Sequence, residues 1–266
     1  MPSADEIRDA QRATWARLSV GWDKWDPVIN DQLGPVGAAI IESLGITADH
    51  QHLDIAAGTG EPGLSIARLA PIGRVVLTDL VPEMLEVAAR RADKQGVTNI
   101  ETRVCSADDL PFDDATFDSV SVRFGYMFFP DVAKATAEFA RVLKPGGRVC
   151  SSVWVNTEAN PWTSIVMQAI ANEVVLAPPD PKGPNMFRCA APGYVSALYR
   201  AAGLGYQDIA DHFGAVGPPH HQLGRQQNPG GQRSLPRARR GVTVTVSAAT
   251  PRTVWVRPVP KGRSTP

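Results

Sequence analysis

The sequence is short of cysteine and of long apolar runs, and beyond Asp211 it has no acidic residue at all. Its only cysteines are Cys105, Cys150 and Cys189. Three is odd and the spacings are wide, which excludes a disulfide framework and gives no zinc-ligand pattern. Buried or neutral free thiols in a reducing compartment are expected, and no metal site is indicated. No stretch approaches the ~18 apolar residues of a membrane span. The first ten residues hold Asp5, Glu6 and Asp9 without an apolar run, so they do not read as a secretory signal. The expectation is a soluble, cytoplasmic protein.

The missing acids divide the chain. The 27 basic and 27 acidic residues give a formal net charge of zero, which on its face argues against a nucleic-acid partner. From Phe213 to Pro266, however, eight Arg and one Lys stand alone at +9, and residues 1–212 carry −9. Neutrality is a cancellation between an acidic body and a basic tail. The length of 266 residues suits one large domain or two small ones, and 43% hydrophobic residues are ample for a core.

Three segments follow: a helical lid over 1–45, a central domain over 46–212, and a Gly/Pro/Arg-rich tail over 213–266. In the first, Ile7, Ala10, Trp15 and Leu18, then Val36, Ala39, Ile40 and Leu44, recur loosely at helical period. Trp22 and Trp25 between them serve either as a lid over a ligand or as packing. From His52 onward, strands alternate with helices. Strands are expected over 52–56, 74–78, 100–105, 117–124 and 148–155. Helices are expected to start near Pro62, Pro82, Asp131 and Pro161, with another over 191–202 and a strand from Tyr206. Lys144-Pro-Gly-Gly147 is expected to stop the helix that starts at Asp131. The pattern implies an α/β, Rossmann-like, doubly wound, mostly parallel sheet with helices on both faces, whose ligands bind outside the carboxyl ends of the strands.

The chemistry sits at those ends. Gly58-Thr-Gly60-Glu-Pro-Gly63 matches G-x-G-x-x-G between a strand and a helix, a turn that brings backbone close to a ligand. Asp79 ends the next strand and can accept both hydroxyls of a ribose, or cap the following helix. A nicotinamide oxidoreductase fits this much. Asp54, inside the first strand, favours a ligand with an ammonium and a sulfonium over a pyrophosphate; its other role is to hold the amides of the glycine loop.

Four ordered blocks then carry a resemblance: Leu53-Asp-Ile-Ala-Ala-Gly-Thr-Gly60, Val76-Leu-Thr-Asp-Leu-Val-Pro-Glu-Met-Leu85, Ala107-Asp-Asp-Leu-Pro-Phe112 and Arg141-Val-Leu-Lys-Pro-Gly-Gly147. Over about residues 45–155 the chain resembles class I S-adenosylmethionine-dependent methyltransferases of the ubiquinone/menaquinone C-methyltransferase type. The resemblance implies S-adenosyl-L-methionine as cofactor, held by Gly58, Thr59 and Gly60 at its methionine and ribose parts. Asp79 would take the ribose hydroxyls, and Leu80 and Met84 would lie on the adenine. Ser106 and Ala107 would meet the adenine amine; Ser106 departs from the usual Asp or Asn, and Asp108 is a substitute. Arg123 is either a ligand contact or half of a structural ion pair. The acceptor is expected to be a small aromatic or lipid-like molecule touching Phe124–Phe129, Trp154, Trp162 and the N-terminal Trp pair. No catalytic base is assigned: His52 starts a strand at the wrong end, His50 is no better, and His212 is unplaced. No nucleic-acid partner is expected.

Such enzymes end in an antiparallel edge hairpin. Tyr206–His212 supplies one strand, but 15 of the final 53 residues are Gly or Pro. Three readings stand open: a disordered basic tail for nucleic acid or acidic surfaces, an insertion before a late edge strand at Val242–Val246, or a lost reading frame near residue 213. If the hairpin is defective, the alternative to an enzyme is a non-catalytic or decayed cofactor-binding protein.

Overall fold

The structure, a computed structural model, describes residues 2–175, 183–208 and 242–249. Two helices open it, α1 (Ala4–Lys24) and α2 (Asp26–Leu44). Ser3 and Glu6 form a reciprocal capping box at the start of α1, and Gly45 at φ +61° closes α2. The alternating elements follow: β1 (Gln51–Ile55), α3 (Gly63–Leu69), β2 (Arg74–Asp79), α4 (Pro82–Gln95), β3 (Ile100–Val104), β4 (Phe117–Arg123), α5 (Val132–Val142) and β5 (Leu143–Trp154). Then come α6 (Pro161–Glu173), α7 (Tyr194–Ala201), β6 (Leu204–Asp208) and β7 (Val242–Ala249).

The seven strands make one sheet in the order β3-β2-β1-β4-β5-β7-β6. β1 to β5 are parallel, and β7 lies antiparallel between β5 and β6. This is the α/β doubly wound architecture expected from the sequence. Leu53, Val75, Val76, Leu77, Val120, Val122 and Val149 are fully buried, because a parallel strand covered on both faces must be apolar throughout. β7 lies within the 213–266 segment; residues 209–241 and 250–266, with His212, lie outside the described residues.

Two details differ from expectation. β5 starts at Leu143 rather than Arg148: Leu143 pairs with Phe117 and Arg148 with Ser119, so the Lys144–Gly147 turn bulges out between two rungs of one ladder. Gly147 must be small there, since a Cβ would lie 2.9 Å from the Lys144 carbonyl and 3.0 Å from that of Asp118. In α1 the helical period does not mark a core face: only Ser19 is buried, and Leu18 is exposed. That helix packs instead against α4 and over the strand ends.

Candidate active site

A cavity of about 560 Å³ opens over the carboxyl ends of β1, β2, β4 and β5 and is roofed by α1 and α2. It stands where the sheet order reverses between β1 and β4, the switch point at which such sheets bind ligands. The two strands reach it through strained backbone, Ala56 at φ +53° and Phe124 at φ +58°. A left-handed non-glycine residue costs about 1–2 kcal/mol. A Cβ on Gly125 would lie 2.5 Å from that of Ala56, so only glycine lets these strand ends meet.

Eight of the ten site residues expected from the sequence line this cavity: Gly58, Thr59, Asp79, Leu80, Met84, Ser106, Ala107 and Arg123. Gly58 has φ +54° and open space where a side chain would project. Asp79 Oδ2 accepts the Gly58 amide at 2.9 Å and Oδ1 the Val81 amide at 3.0 Å. A carboxylate oxygen can accept more than one hydrogen bond, and Asp79 lines the cavity. Burial pushes its carboxyl up to about 6, against the pull of those amides.

Asp54 and Gly60 are not among the lining residues. Asp54, fully buried, accepts the Gly63 amide at 2.9 Å and the Ser121 hydroxyl at 2.5 Å, so it ties the loop to the sheet. Desolvation raises its pKa to about 7. A fixed relay runs behind it. Ser121 Oγ donates to Asp54, so His52 Nε2, 2.9 Å away, donates to Ser121, and His52 Nδ1 accepts from Ser119 at 2.8 Å. Burial holds this imidazole neutral, its pKa down to about 3. No histidine lines the cavity among the described residues.

The carboxylate that does face the cavity beside the loop is Glu61, which sequence reasoning missed. Arg123 faces it from β4. Burial lowers the Arg123 pKa while Asp54, Glu61 and Asp26 oppose that shift from a distance. Among the described residues none lies within ion-pair reach of its guanidinium. Ser106 is engaged differently from expectation: its hydroxyl bonds Asp108, and Arg8 of α1 donates to Ser106 at 3.2 Å and to Asp108 at 3.3 Å. Asp108, almost fully buried, is therefore an anchor for the lid and not a free acceptor.

The other half of the cavity is aromatic. Phe124 stacks on Trp154 at 4.5 Å between ring centres, and Trp154 meets Trp162 edge-on at 5.7 Å. Trp15 packs on Phe128 at 5.1 Å and near Trp22 at 6.2 Å. Of the segment Phe124–Phe129, residues 124, 125, 128 and 129 line the cavity, whereas Tyr126 and Met127 belong to the core. Trp22 lines it; Trp25 is an exposed ring under Lys24. Trp15, read in the sequence only as a helix position, is the second lid indole.

One arginine fastens lid to loop. Arg91 on α4 is buried; it pairs with Asp26 and, at 3.3 Å, with Asp23, and donates to the Trp22 and Thr59 carbonyls at 3.5 and 3.3 Å.

The model of the ubiE/COQ5 methyltransferase family matches residues 24–171. The chain is 44% identical over 99 residues to a demethylmenaquinone methyltransferase of Thermus thermophilus, a match covering 36% of this chain and 44% of that one. It is 41% identical over 111 residues to the ubiquinone/menaquinone biosynthesis C-methyltransferase UbiE of Cellvibrio japonicus, covering 41% of this chain and 45% of that one. It thus spans less than half the length of either relative. A SAM-dependent methyltransferase from Aquifex aeolicus has the same fold, with a TM-score of 0.55 at 15% identity over 80% of this chain and 89% of that one. The chain belongs to the ubiE/COQ5 methyltransferase family.

Proposed function

We propose that this member of the ubiE/COQ5 methyltransferase family moves the methyl group of S-adenosyl-L-methionine onto a carbon or oxygen of a flat, apolar acceptor of quinone or phenol type, in the cytoplasm. The relatives' names point to such acceptors. The observation that carries the reading is the joining of two unlike halves in one cavity: the Gly58–Asp79 cradle and the Phe124–Trp154–Trp162 aromatic wall.

The residues present fit the cofactor. Asp79 has spare acceptor capacity for two ribose hydroxyls, Leu80 and Met84 offer apolar cover for a purine, and the space beside Gly58 admits close approach of a ligand to backbone. Glu61, which also pairs with Arg68 at 3.6 Å, and Arg123 are opposite charges that both line the cavity and suit the ammonium and carboxylate of an amino-acid moiety. When bound, the cofactor supplies a methyl already made electrophilic by its sulfonium. The protein then needs chiefly to align and to dry. Trp15 and Trp22 close the roof, the stacked Phe124–Trp154 pair aligns a planar acceptor, and among the described residues the lining beyond the cradle offers no charged group to compete with it.

Incubation with methyl-labelled cofactor and a panel of hydroquinones, phenols and aliphatic alcohols tests this. Label is expected in the aromatic acceptors. Preferential binding of NADH over S-adenosylmethionine in calorimetry, or labelling of the alcohols alone, overturns it.

A further inference from the structure

Four polar side chains fill neighbouring rungs of the sheet behind the glycine loop. His52 pairs with Ser119 and Asp54 with Ser121 in the register of β1 on β4. Residues two apart on a strand share a face, so all four stand on one side of the sheet. Each is fully buried. Buried hydrogen-bond partners can be exchanged together for apolar groups of the same shape at little cost, so stability alone does not account for this row. Its bonds run in one line. Ser119 Oγ lies 2.8 Å from His52 Nδ1, His52 Nε2 lies 2.9 Å from Ser121 Oγ, and Ser121 Oγ lies 2.5 Å from Asp54 Oδ1. Asp54 Oδ2 accepts the Gly63 amide at 2.9 Å. Gly63 opens α3, and the next amide, of Leu64, bonds the Gly60 carbonyl at 2.8 Å. The line therefore ends on the loop whose Gly58, Thr59 and Glu61 border the cavity.

Proton counting gives this line two states. An ionised carboxylate only accepts, so Ser121 points its hydrogen at Asp54, His52 carries its own on Nε2, and Ser119 points at Nδ1. A proton added to Asp54 must sit on Oδ1, because Oδ2 faces the Gly63 donor. Ser121 then accepts from Asp54 and turns its hydrogen to Nε2, and the imidazole hydrogen stands on Nδ1. One proton gained at Asp54 thus reverses every donor in the line and changes the tautomer of His52. The Gly63 amide exchanges a charged acceptor for a neutral one, a bond roughly half as strong. Two further charges face Asp54: Arg123 from β4 favours its ionised form, and Glu61 from the loop favours the neutral one. Burial raises the Asp54 carboxyl to about 7 and holds the His52 imidazole neutral, its pKa down to about 3, so the carboxyl is the group that takes the proton.

We infer that His52 and Ser121 are positioning residues for cofactor binding: they favour the ionised form of Asp54 and, through it, hold the glycine loop by the Gly63 amide. The inference rests on the proposed reaction for the identity of the cofactor, but the reversal of the line is measurable without one.

The full chain, labelled with nitrogen-15 histidine, is titrated by magnetic resonance from pH 9 to pH 5.5, with the His52 signals assigned through a His52→Gln variant. The expected ring hydrogen is on Nε2 at pH 9 and moves to Nδ1 as the pH falls through about 7. A tautomer that stays constant over the range, or a hydrogen on Nδ1 at pH 9, overturns the inference with the wild type alone. Calorimetry with S-adenosylhomocysteine is the second readout. Ser121→Ala removes a donor to the ionised carboxyl and should move its titration up by about one pH unit. Affinity should then fall about fivefold at pH 7, where far less Asp54 is ionised, and return to within about twofold of wild type at pH 9. His52→Leu should act in the same direction. Ser121→Thr and His52→Gln keep a donor in place and should restore the wild-type profile. An equal loss at pH 7 and pH 9 assigns the row a purely structural role and overturns the inference, as does an unchanged profile in Ser121→Ala. Failure of the methyl-transfer reading shows differently, as missing S-adenosylhomocysteine affinity in every protein while the His52 tautomer still follows pH.

Discussion

Asp79 offers the sharpest test of the cofactor half, because its geometry fixes both a magnitude and a sign. Its two oxygens already accept the amides of Gly58 and Val81, and partial burial raises its carboxyl to about 6. Ribose hydroxyls donate, so they favour the ionised form, and the bound state has the lower pKa of the two. Affinity is therefore full well above pH 6 and declines as pH falls through it. At pH 5 only about one Asp79 in eleven is ionised, so the apparent Kd for S-adenosylmethionine should rise about tenfold relative to pH 7.5. Asp79→Asn sets an amide donor against one of those backbone donors and leaves a hydroxyl without its acceptor. The loss expected at pH 7.5 is about 1–3 kcal/mol, or roughly 5- to 150-fold in Kd, and the slope between pH 5 and 7 should flatten. Isothermal calorimetry at five pH values reads both. Asp54 titrates near 7 behind the loop, so any slope common to the two proteins belongs to it or to other groups. A wild-type Kd flat from pH 5 to 8, or an Asn variant with the wild-type slope, refutes the placement of the ribose at Asp79.

Three further substitutions separate the parts of the site. Gly63→Ala would push a Cβ to 2.2 Å from Leu77 Cδ2 and 2.8 Å from Asp54 Oδ2; overpacking of this kind costs about 1–3 kcal/mol, read as a lowered urea midpoint together with weaker cofactor binding. Trp154→Ala removes the ring that stacks on Phe124 and should raise KM for an aromatic acceptor while leaving the cofactor Kd within about twofold; a changed cofactor Kd would place this wall in the other half of the site. Arg91→Met keeps the bulk and deletes the bonds to Asp26, Asp23, Trp22 and Thr59. It should cost about 1–3 kcal/mol of stability and make α1 more susceptible to limited proteolysis, with protection no longer restored by cofactor.

The parallel sheet was legible because burial on both faces forces apolar runs, and because glycines and prolines punctuate them at β1, β2 and β5. The Asp79 and Gly58 positions were legible for a related reason: backbone approach and a strand-end carboxylate leave local residue patterns. What the sequence concealed has partners far along the chain. Arg8 meets Ser106 and Asp108 across 98 and 100 residues, and Arg91 meets Asp26 across 65. No local period encodes such pairs. Asp54 shows the opposite hazard. Its position in the first strand suits either a ligand contact or the holding of glycine-loop amides; the Gly63 amide and the Ser121 hydroxyl use its oxygens inside the wall, and Glu61, seven residues later, lines the cavity beside the loop.

The charges at the lid seam bear on the order of events. Arg8 clasps Ser106–Asp108, Arg12 donates to the Leu80 carbonyl at 3.4 Å, and Arg91 clasps the α1–α2 junction to the Thr59 carbonyl of the glycine loop. All three pin the lid onto the segments that would hold the cofactor; in contrast, the aromatic wall of Phe124, Trp154 and Trp162 stands on β4, β5 and α6. A cofactor that orders Leu80, Thr59 and Ser106 thereby also orders the acceptors for these arginines, and the indoles of Trp15 and Trp22 follow the helix that carries them. Cofactor binding should accordingly complete the acceptor half, and an acceptor should bind more tightly after the cofactor than before it. Because coupling is reciprocal, a saturating acceptor must tighten cofactor binding by the same factor, and Arg91→Met should bring that factor close to one.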